Sequence, residues 1–301
     1  MFQTLSYYSQ LIKFRLSSSV VFSAIAGYLL AIHKFDIYEF FLLVFGGLFV
    51  TGSANGFNQI LEIEYDKKMN RTSSRPLPMK NLRVSQAVVF SFIIGLLGIY
   101  LLNFIKPEGS YFGWLSKSGL FGVISVFIYV FIYTPLKRFS SISVFIGAFP
   151  GAIPYLLGWV AATDYFGLVG GLLFAIQFFW QFPHFIAISW VLDNEYSIAG
   201  FKMIFGGKKG RYPAVIGIFT SFFMTLLSVI PFFWNQTQLS LSLGAFILML
   251  ILGFWFTWQS IKLYRNISDK SAKNLMLCSF IYLPLMQIIF IADKFIKLIW
   301  I

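Results

Sequence analysis

The sequence predicts an all-α fold, a membrane bundle of about nine transmembrane helices around a central cavity. Of the 301 residues, 58% are hydrophobic and only 11% are charged, and the mean hydropathy is +0.78. Because a soluble domain has about a quarter of its residues charged, this composition indicates an integral membrane protein. The apolar stretches are uniformly apolar and about 20 residues long, whereas barrel strands are about ten residues long and alternate in polarity. Helices are therefore predicted for every span.

The spans follow one another without a linker or a low-complexity tract, which predicts a single membrane domain over residues 1–301. No small-residue cleavage site follows the first apolar run, so we expect that run to be a retained span and not a signal peptide. The single cysteine, Cys278, lies in an apolar run, which excludes a disulfide framework and a cysteine-based metal site. The predicted spans are residues 17–33, 39–61, 84–104, 115–134, 142–162, 167–191, 213–233, 239–262 and 274–297.

Basic residues set the orientation, because cytoplasmic loops retain Lys and Arg. With the N-terminus in the cytoplasm, that side holds all but five of the 23 Lys and Arg residues, so topology explains the net charge of +12 without a nucleic-acid partner. Five carboxylates also face the cytoplasm, in the loops after the second and sixth spans. The five basic residues on the opposite side are Lys34, Lys106, Lys117, Lys294 and Lys297.

The most polar stretch, residues 55–78, follows the second span. In a helix, Asn58, Glu62 and Asp66 would line one face, because residues four apart drift only about 40° around the axis. An amide and two carboxylates on one face suit Mg²⁺, and the arginines Arg71 and Arg75 would suit phosphates through bidentate hydrogen bonds. The alternative is a solvated helix end with ordinary salt bridges, and the local sequence leaves both open.

Two further segments carry candidate site residues. The loop after the fourth span reads Y-T-P-L-K-R; Pro135 is expected to end the helix and to leave Lys137 and Arg138 at the interface. These cations either contact phosphate or only snorkel to the membrane surface. The fifth span contains two prolines four residues apart, which predicts a deformed helix that lines a pocket.

The sixth span ends with His184 inside an apolar segment, and an ionisable group at membrane depth is a functional hypothesis by default. A histidine that is only hydrogen-bonded in the core is the alternative. Asp193 and Glu195 follow and are candidates for a second metal-organising cluster. Their spacing of two places them on different faces of a regular helix, so at most one is expected to point at the site.

Together these residues resemble the UbiA-type intramembrane prenyltransferases, whose signature is N-x-x-x-D-x-x-x-D at the cytoplasmic end of the second helix. Within that superfamily they are most similar to the branch that farnesylates heme. Two departures stand out: Glu62 replaces the first Asp of the signature, and the second cluster lacks a D-x-x-x-D spacing. The matching segments are M-N-R-T-S-S-R-P-L-P (69–78), Y-T-P-L-K-R (133–138), G-A-I-P-Y-L-L-G-W (151–159), W-Q-F-P-H-F (180–185) and E-Y-S-I-A-G (195–200).

The resemblance implies transfer of a farnesyl group from farnesyl diphosphate to a vinyl group of heme B, giving heme O and diphosphate. Mg²⁺ is then the expected cofactor, and His184 is a candidate ligand of the heme iron. It implies the catalytic residues Asp66, Glu62, Asn58 and Lys137. It implies the metal ligands Asn58, Glu62, Asp66, Asp193 and Glu195, and the diphosphate-binding residues Arg71, Arg75, Lys137 and Arg138.

The resemblance also places the protein in the cell inner membrane with its active site on the cytoplasmic side. A heme A synthase or a terminal oxidase assembly factor is an expected partner, besides the lipid bilayer. Prenylation of an aromatic acid or a naphthoate in quinone synthesis is the alternative in the same superfamily. A secondary transporter is the alternative in another class, but it would place its charges near the midplane of the bilayer.

Overall fold

The computed structural model describes residues 2–110, 113–234 and 239–299, and the predicted all-α fold is confirmed in these ranges. Nine helices there are long and apolar enough to cross a membrane. The predicted spans each match one of them within a few residues, except that the ninth helix begins five residues before its predicted start. The helices are α1 (Phe2–Leu11), α2 (Phe14–Ala31), α3 (Ile37–Leu61), α4 (Ile63–Asp66), α5 (Val84–Asn103), α6 (Lys117–Phe127), α7 (Thr134–Leu136), α8 (Ile142–Thr163), α9 (Gly167–Val191), α10 (Asp193–Ala199), α11 (Arg211–Val229), α12 (Leu243–Asn266) and α13 (Asp269–Ile299).

The fourth membrane helix does not end at Pro135 as expected. A π-helical segment, Ile128–Tyr133, joins α6 to α7, and the helix continues through Pro135 to Leu136. Within this segment the Thr134 N–H donates to the Tyr129 carbonyl, five residues back. The wider turn makes room for a proline ring that would clash with the carbonyl four residues before it in a regular helix.

Close contact between α2 and α8 shows why small residues are needed in the bundle. A side chain at Gly27 would overlap the Tyr155 carbonyl oxygen, and one at Gly158 would overlap the Ala24 carbonyl oxygen. Backbone atoms cannot move aside as a flexible side chain can. The two helices therefore approach closely only because glycine occupies both positions, as is common in membrane bundles.

The fifth membrane helix, α8, is the most deeply buried span. It remains helical through Pro150 and Pro154. Side-chain amides of α9 supply hydrogen bonds beside the first proline: Gln181 Nε2 donates to the Ala148 carbonyl at 2.9 Å, and Gln177 Nε2 donates to the Gly151 carbonyl at 2.8 Å. No residue of α8 lines the polar cavity described below, but Ala162 and Thr163 at the end of this helix line a second cavity. The two amides tie α9 to α8 beside Pro150.

Candidate active site

A polar cavity of about 150 Å³ lies at one end of the bundle, where α3 gives way to α4. Its walls come from segments that are far apart in the sequence: the turn before α2, the end of α3 with the loop after α4, the π-helical segment and the segment around α10. The lining residues are Lys13, Asn58, Glu62, Asp66, Met69, Arg71, Arg75, Tyr129, Tyr133, Lys137, Tyr196, Phe201 and Met203.

The break between α3 and α4 falls at Glu62, but the four-residue spacing is preserved. The Glu62 N–H donates to the Asn58 carbonyl at 3.0 Å, and the Asp66 N–H donates to the Glu62 carbonyl at 2.8 Å. All three side chains line the cavity and are buried. The structure therefore brings the predicted amide and the two carboxylates onto one wall.

Each of the two carboxylates has a cationic partner. Glu62 Oε1 lies 2.5 Å from Lys137 Nζ, and Asp66 Oδ2 lies 2.6 Å from Arg75 Nη1. The second oxygen of the aspartate, Oδ1, is buried and has no hydrogen-bond partner among the described residues. A buried oxygen without a donor is costly unless something else binds it, so this atom is a candidate ligand for a cation.

Lys13 is a site residue that the sequence reasoning missed, because it was counted there only as a topological charge. It sits at the junction of α1 and α2, and its Nζ donates to Asn58 Oδ1 at 3.0 Å. The amide nitrogen of Asn58 donates in turn to Thr134 Oγ1 at 3.2 Å. The only signal available in the sequence was a lysine placed directly before an apolar span.

The environment shifts the pKa values of two cavity lysines in opposite directions. Burial, together with repulsion from Arg75 and Lys137, lowers the pKa of Lys13 to about 7. Burial opposes the charge on Lys137 most strongly, but the Glu62 carboxylate, with smaller contributions from Tyr129 and Tyr196, raises the pKa of that lysine. Lys137 is therefore charged at neutral pH, whereas Lys13 is only partly charged there.

Aromatic rings complete the cavity beside these charges. The ammonium of Lys137 lies 4.7 Å from the centre of the Tyr133 ring and 5.5 Å from that of Phe201. Tyr129 and Tyr133 both belong to the π-helical segment. They were not predicted as site residues, because a π segment changes which side chains share a face and leaves no clear mark in the sequence.

Three predicted site residues lie outside the cavity lining. Arg138 donates from Nη2 to the Leu61 carbonyl at 2.9 Å, and its guanidinium stacks 4.3 Å from the centre of the Tyr65 ring. Glu195 Oε2 accepts from the Arg71 backbone N–H at 3.4 Å, and Asp193 is the first residue of α10. In the described ranges no group of three or more His, Cys, Asp or Glu side chains converges on a metal position.

His184 also lies outside the cavity lining, on α9 where that helix meets α13. Its Nδ1 is 2.8 Å from Ser279 Oγ, and its ring stacks on Trp180 with centroids 4.5 Å apart. The neighbouring Phe185 packs against a cluster that includes two cavity residues, Phe201 and Met203. His184 is thus adjacent in sequence to a residue that contacts the cavity wall, although its own side chain faces the other way.

Comparisons with known proteins agree with this architecture. A model of the UbiA prenyltransferase family matches residues 20–283. A protein named protoheme IX farnesyltransferase from Flavobacterium psychrophilum is 44% identical, with 96% of this chain and 95% of that protein aligned. A protein of the same name from Flavobacterium johnsoniae is 41% identical, again with 96% of this chain and 95% of that protein aligned.

A solved structure shows the same fold. It is a UbiA homolog from Archaeoglobus fulgidus bound to DMAPP and Mg²⁺, with a TM-score of 0.74. The alignment covers 96% of this chain and 97% of the other, with 14% sequence identity. At that identity the likeness supports the fold alone.

Proposed function

Because the chain belongs to the UbiA prenyltransferase family, we propose that it transfers a farnesyl group from farnesyl diphosphate to a vinyl group of protoheme IX, also called heme B. Heme O and diphosphate are the products. The assignment of heme as the acceptor follows the names of relatives that are 41–44% identical over nearly the whole chain. The transporter alternative is set aside, because the chain is a member of a prenyltransferase family.

One observation supports this function most strongly: a single buried cavity holds two carboxylates and an amide beside four cationic side chains. A diphosphate ester of an allylic alcohol presents phosphate oxygens to cations and a hydrophobic chain to the membrane. Four cations of the cavity would donate hydrogen bonds to those oxygens: Arg71, Arg75, Lys137 and Lys13. Arg138 donates to a carbonyl outside the cavity lining, so its predicted contact with diphosphate requires its side chain to move.

The residues of the cavity fit Mg²⁺. The donor set is entirely oxygen, and Asp66 contributes the buried Oδ1 atom that has no protein partner. Asn58, Glu62 and Asp66 would hold the ion, and Asp193 and Glu195 remain candidates for a second one. When bound, Mg²⁺ supplies neutralisation of the negative charge that grows on the diphosphate leaving group.

The side chains of the cavity stabilise the same charge by direct contact. Arg75 and Lys137 pair with Asp66 and Glu62 at 2.6 Å and 2.5 Å. With Asp66 and Glu62 holding the metal, Arg75 and Lys137 would donate to the phosphate oxygens where negative charge develops as the allylic C–O bond breaks.

The organic part of the reaction takes place against the aromatic wall. Breaking of the C–O bond leaves positive charge on the allylic carbons, which the faces of Tyr129, Tyr133 and Phe201 can stabilise. The vinyl carbon of heme forms the new C–C bond to the farnesyl carbon. Water then adds to the resulting cation and loses a proton, which gives the hydroxyethylfarnesyl substituent.

The cellular location, the ligand of the heme iron and a partner protein are further parts of the proposal. The excess of Lys and Arg on the cavity side supports a cytoplasmic N-terminus and a cytoplasmic active site in the cell inner membrane, with the whole chain as one domain. His184 is proposed as a ligand of the heme iron. A heme A synthase or a terminal oxidase assembly factor would receive the product.

A mass-spectrometric assay tests the proposed function. The purified protein is incubated with farnesyl diphosphate, Mg²⁺ and either heme B or 4-hydroxybenzoate. We expect farnesylated, hydrated heme from the first mixture and no prenylated product from the second. Prenylated hydroxybenzoate without any heme product would contradict the proposal and would support the aromatic-acid alternative.

A further inference from the structure

Aromatic side chains hold the imidazole of His184 in one orientation. The Trp180 ring stacks on it with an interplanar angle of 20°, and the Phe280 ring meets it edge-on at 81° with centroids 5.1 Å apart. The Trp180 Nε1–H also donates to the Ser279 carbonyl at 3.1 Å, which ties α9 to α13 at this level. The imidazole is therefore surrounded mainly by aromatic side chains.

The Ser279 hydroxyl determines which nitrogen of His184 carries the proton. Its Oγ lies 2.6 Å from the Met276 carbonyl oxygen and 2.8 Å from His184 Nδ1. A carbonyl oxygen can only accept, and a hydroxyl has one hydrogen, so the Ser279 O–H donates to Met276. The same Oγ then accepts a hydrogen bond from His184 Nδ1–H.

The remaining nitrogen, Nε2, therefore carries a lone pair. Nε2 forms no hydrogen bond with any residue in the described ranges, and the protein does not enclose it completely. Nε2 is thus open to a ligand. An imidazole that donates from Nδ1 and presents a free Nε2 is the arrangement found in metal-binding histidines, where the outer hydrogen bond fixes the ring and its tautomer.

We infer that Ser279 is a positioning residue that fixes His184 in the tautomer whose Nε2 binds the iron of a heme that lies against α9 and α13. This inference rests on the proposed function, which supplies heme as the acceptor. Phe185, next to His184, packs against the cluster that contains Phe201 and Met203 of the cavity wall. A heme held at this level of α9 therefore lies at the same height in the bundle as that wall of the cavity.

The test is a titration of the full chain in lipid nanodiscs with ferric heme B, followed by absorption and electron paramagnetic resonance spectra. The wild type is expected to show an imidazole-bound heme. His184→Ala should lose that signature and regain it with added imidazole. Ser279→Ala should raise the heme Kd by about tenfold or more, the usual effect of removing an outer hydrogen-bond partner, whereas Ser279→Thr keeps the hydroxyl and should bind nearly as tightly as the wild type.

Ser221→Ala is the matched control, because Ser221 is equally buried and its Oγ also donates to the carbonyl three residues back, at 3.0 Å. It should leave the heme Kd unchanged. An unaltered spectrum in His184→Ala, or wild-type affinity in Ser279→Ala, would overturn the inference. A protein with the expected spectra that forms no farnesylated heme would support the inference and contradict the proposed function.

Discussion

Asp66 and Glu62 are buried carboxylates that contact a cation of the protein and also face a cavity. Their four-residue spacing after Asn58 was sufficient to predict that the three side chains share a wall. The spacing could not reveal Lys13, because its contact with Asn58 joins residues 45 positions apart. Local periodicity therefore gives the acidic wall of the site, while its cationic walls depend on tertiary packing.

Replacement of Asp66 by asparagine tests the acidic wall. Asp66→Asn preserves the shape of the side chain but removes the charge proposed to hold Mg²⁺, so farnesyl transfer should fall by at least about 100-fold. Glu64→Gln is the control, because Glu64 is an exposed carboxylate of α4 that pairs with Lys67 outside the cavity. Turnover is measured under saturating farnesyl diphosphate in both variants. A wild-type rate in Asp66→Asn would remove the metal assignment.

The lowered pKa of Lys13 predicts a pH dependence of substrate binding. At pH 6 this lysine is mostly charged, and its charge is lost as the pH rises through about 7. A diphosphate must then bind together with a proton, so its Kd should rise by up to about tenfold between pH 7 and pH 8. Isothermal titration with farnesyl diphosphate and Mg²⁺ measures this slope.

Lys13→Arg provides the comparison for that titration, because arginine stays charged throughout the range. The variant should show a flatter pH dependence, and the remaining slope reports the titration of the ligand itself. Equal slopes for the two proteins would show that Lys13 does not take up a proton with the diphosphate.

The helices differ in how well their sequences predict them. Long apolar runs predicted the nine spans, because crossing a membrane requires their length and composition. The fourth helix differs at Pro135, where the π-helical segment extends it and turns Tyr129 and Tyr133 into the cavity. A propensity argument that ends a helix at proline cannot foresee a wider turn that accommodates the ring.

The contact between α2 and α8 yields a prediction about stability. Gly158→Ala places a methyl group against the Ala24 carbonyl, and we expect it to cost about 1–3 kcal/mol and to lower the melting temperature of the detergent-solubilised protein. Gly244→Ala is the matched control, because a methyl group at this glycine of α12 meets no atom closer than 3.9 Å. If Gly158→Ala and Gly244→Ala melted at the same temperature, the methyl group at position 158 would not destabilise the protein, and the prediction would be wrong.

Across the whole chain, the composition and the charge distribution predicted the membrane bundle, and five short motifs predicted its family. What they could not give is the direction in which each polar side chain points. Arg138 stacks on Tyr65 outside the cavity lining, and His184 faces α13, where the proposed heme would contact it, and not the polar cavity. These directions depend on how neighbouring helices pack, which no local pattern encodes.

A structure of the full chain with Mg²⁺ and a thio analogue of farnesyl diphosphate that resists ionisation would show directly whether the polar cavity is the diphosphate site. We expect the two phosphates to lie between Lys13, Arg75 and Lys137, with the metal on Asn58, Glu62 and Asp66. The ion pairs Glu62–Lys137 and Asp66–Arg75 should be broken in that complex. Diphosphate bound elsewhere, with both ion pairs intact, would contradict the proposed site.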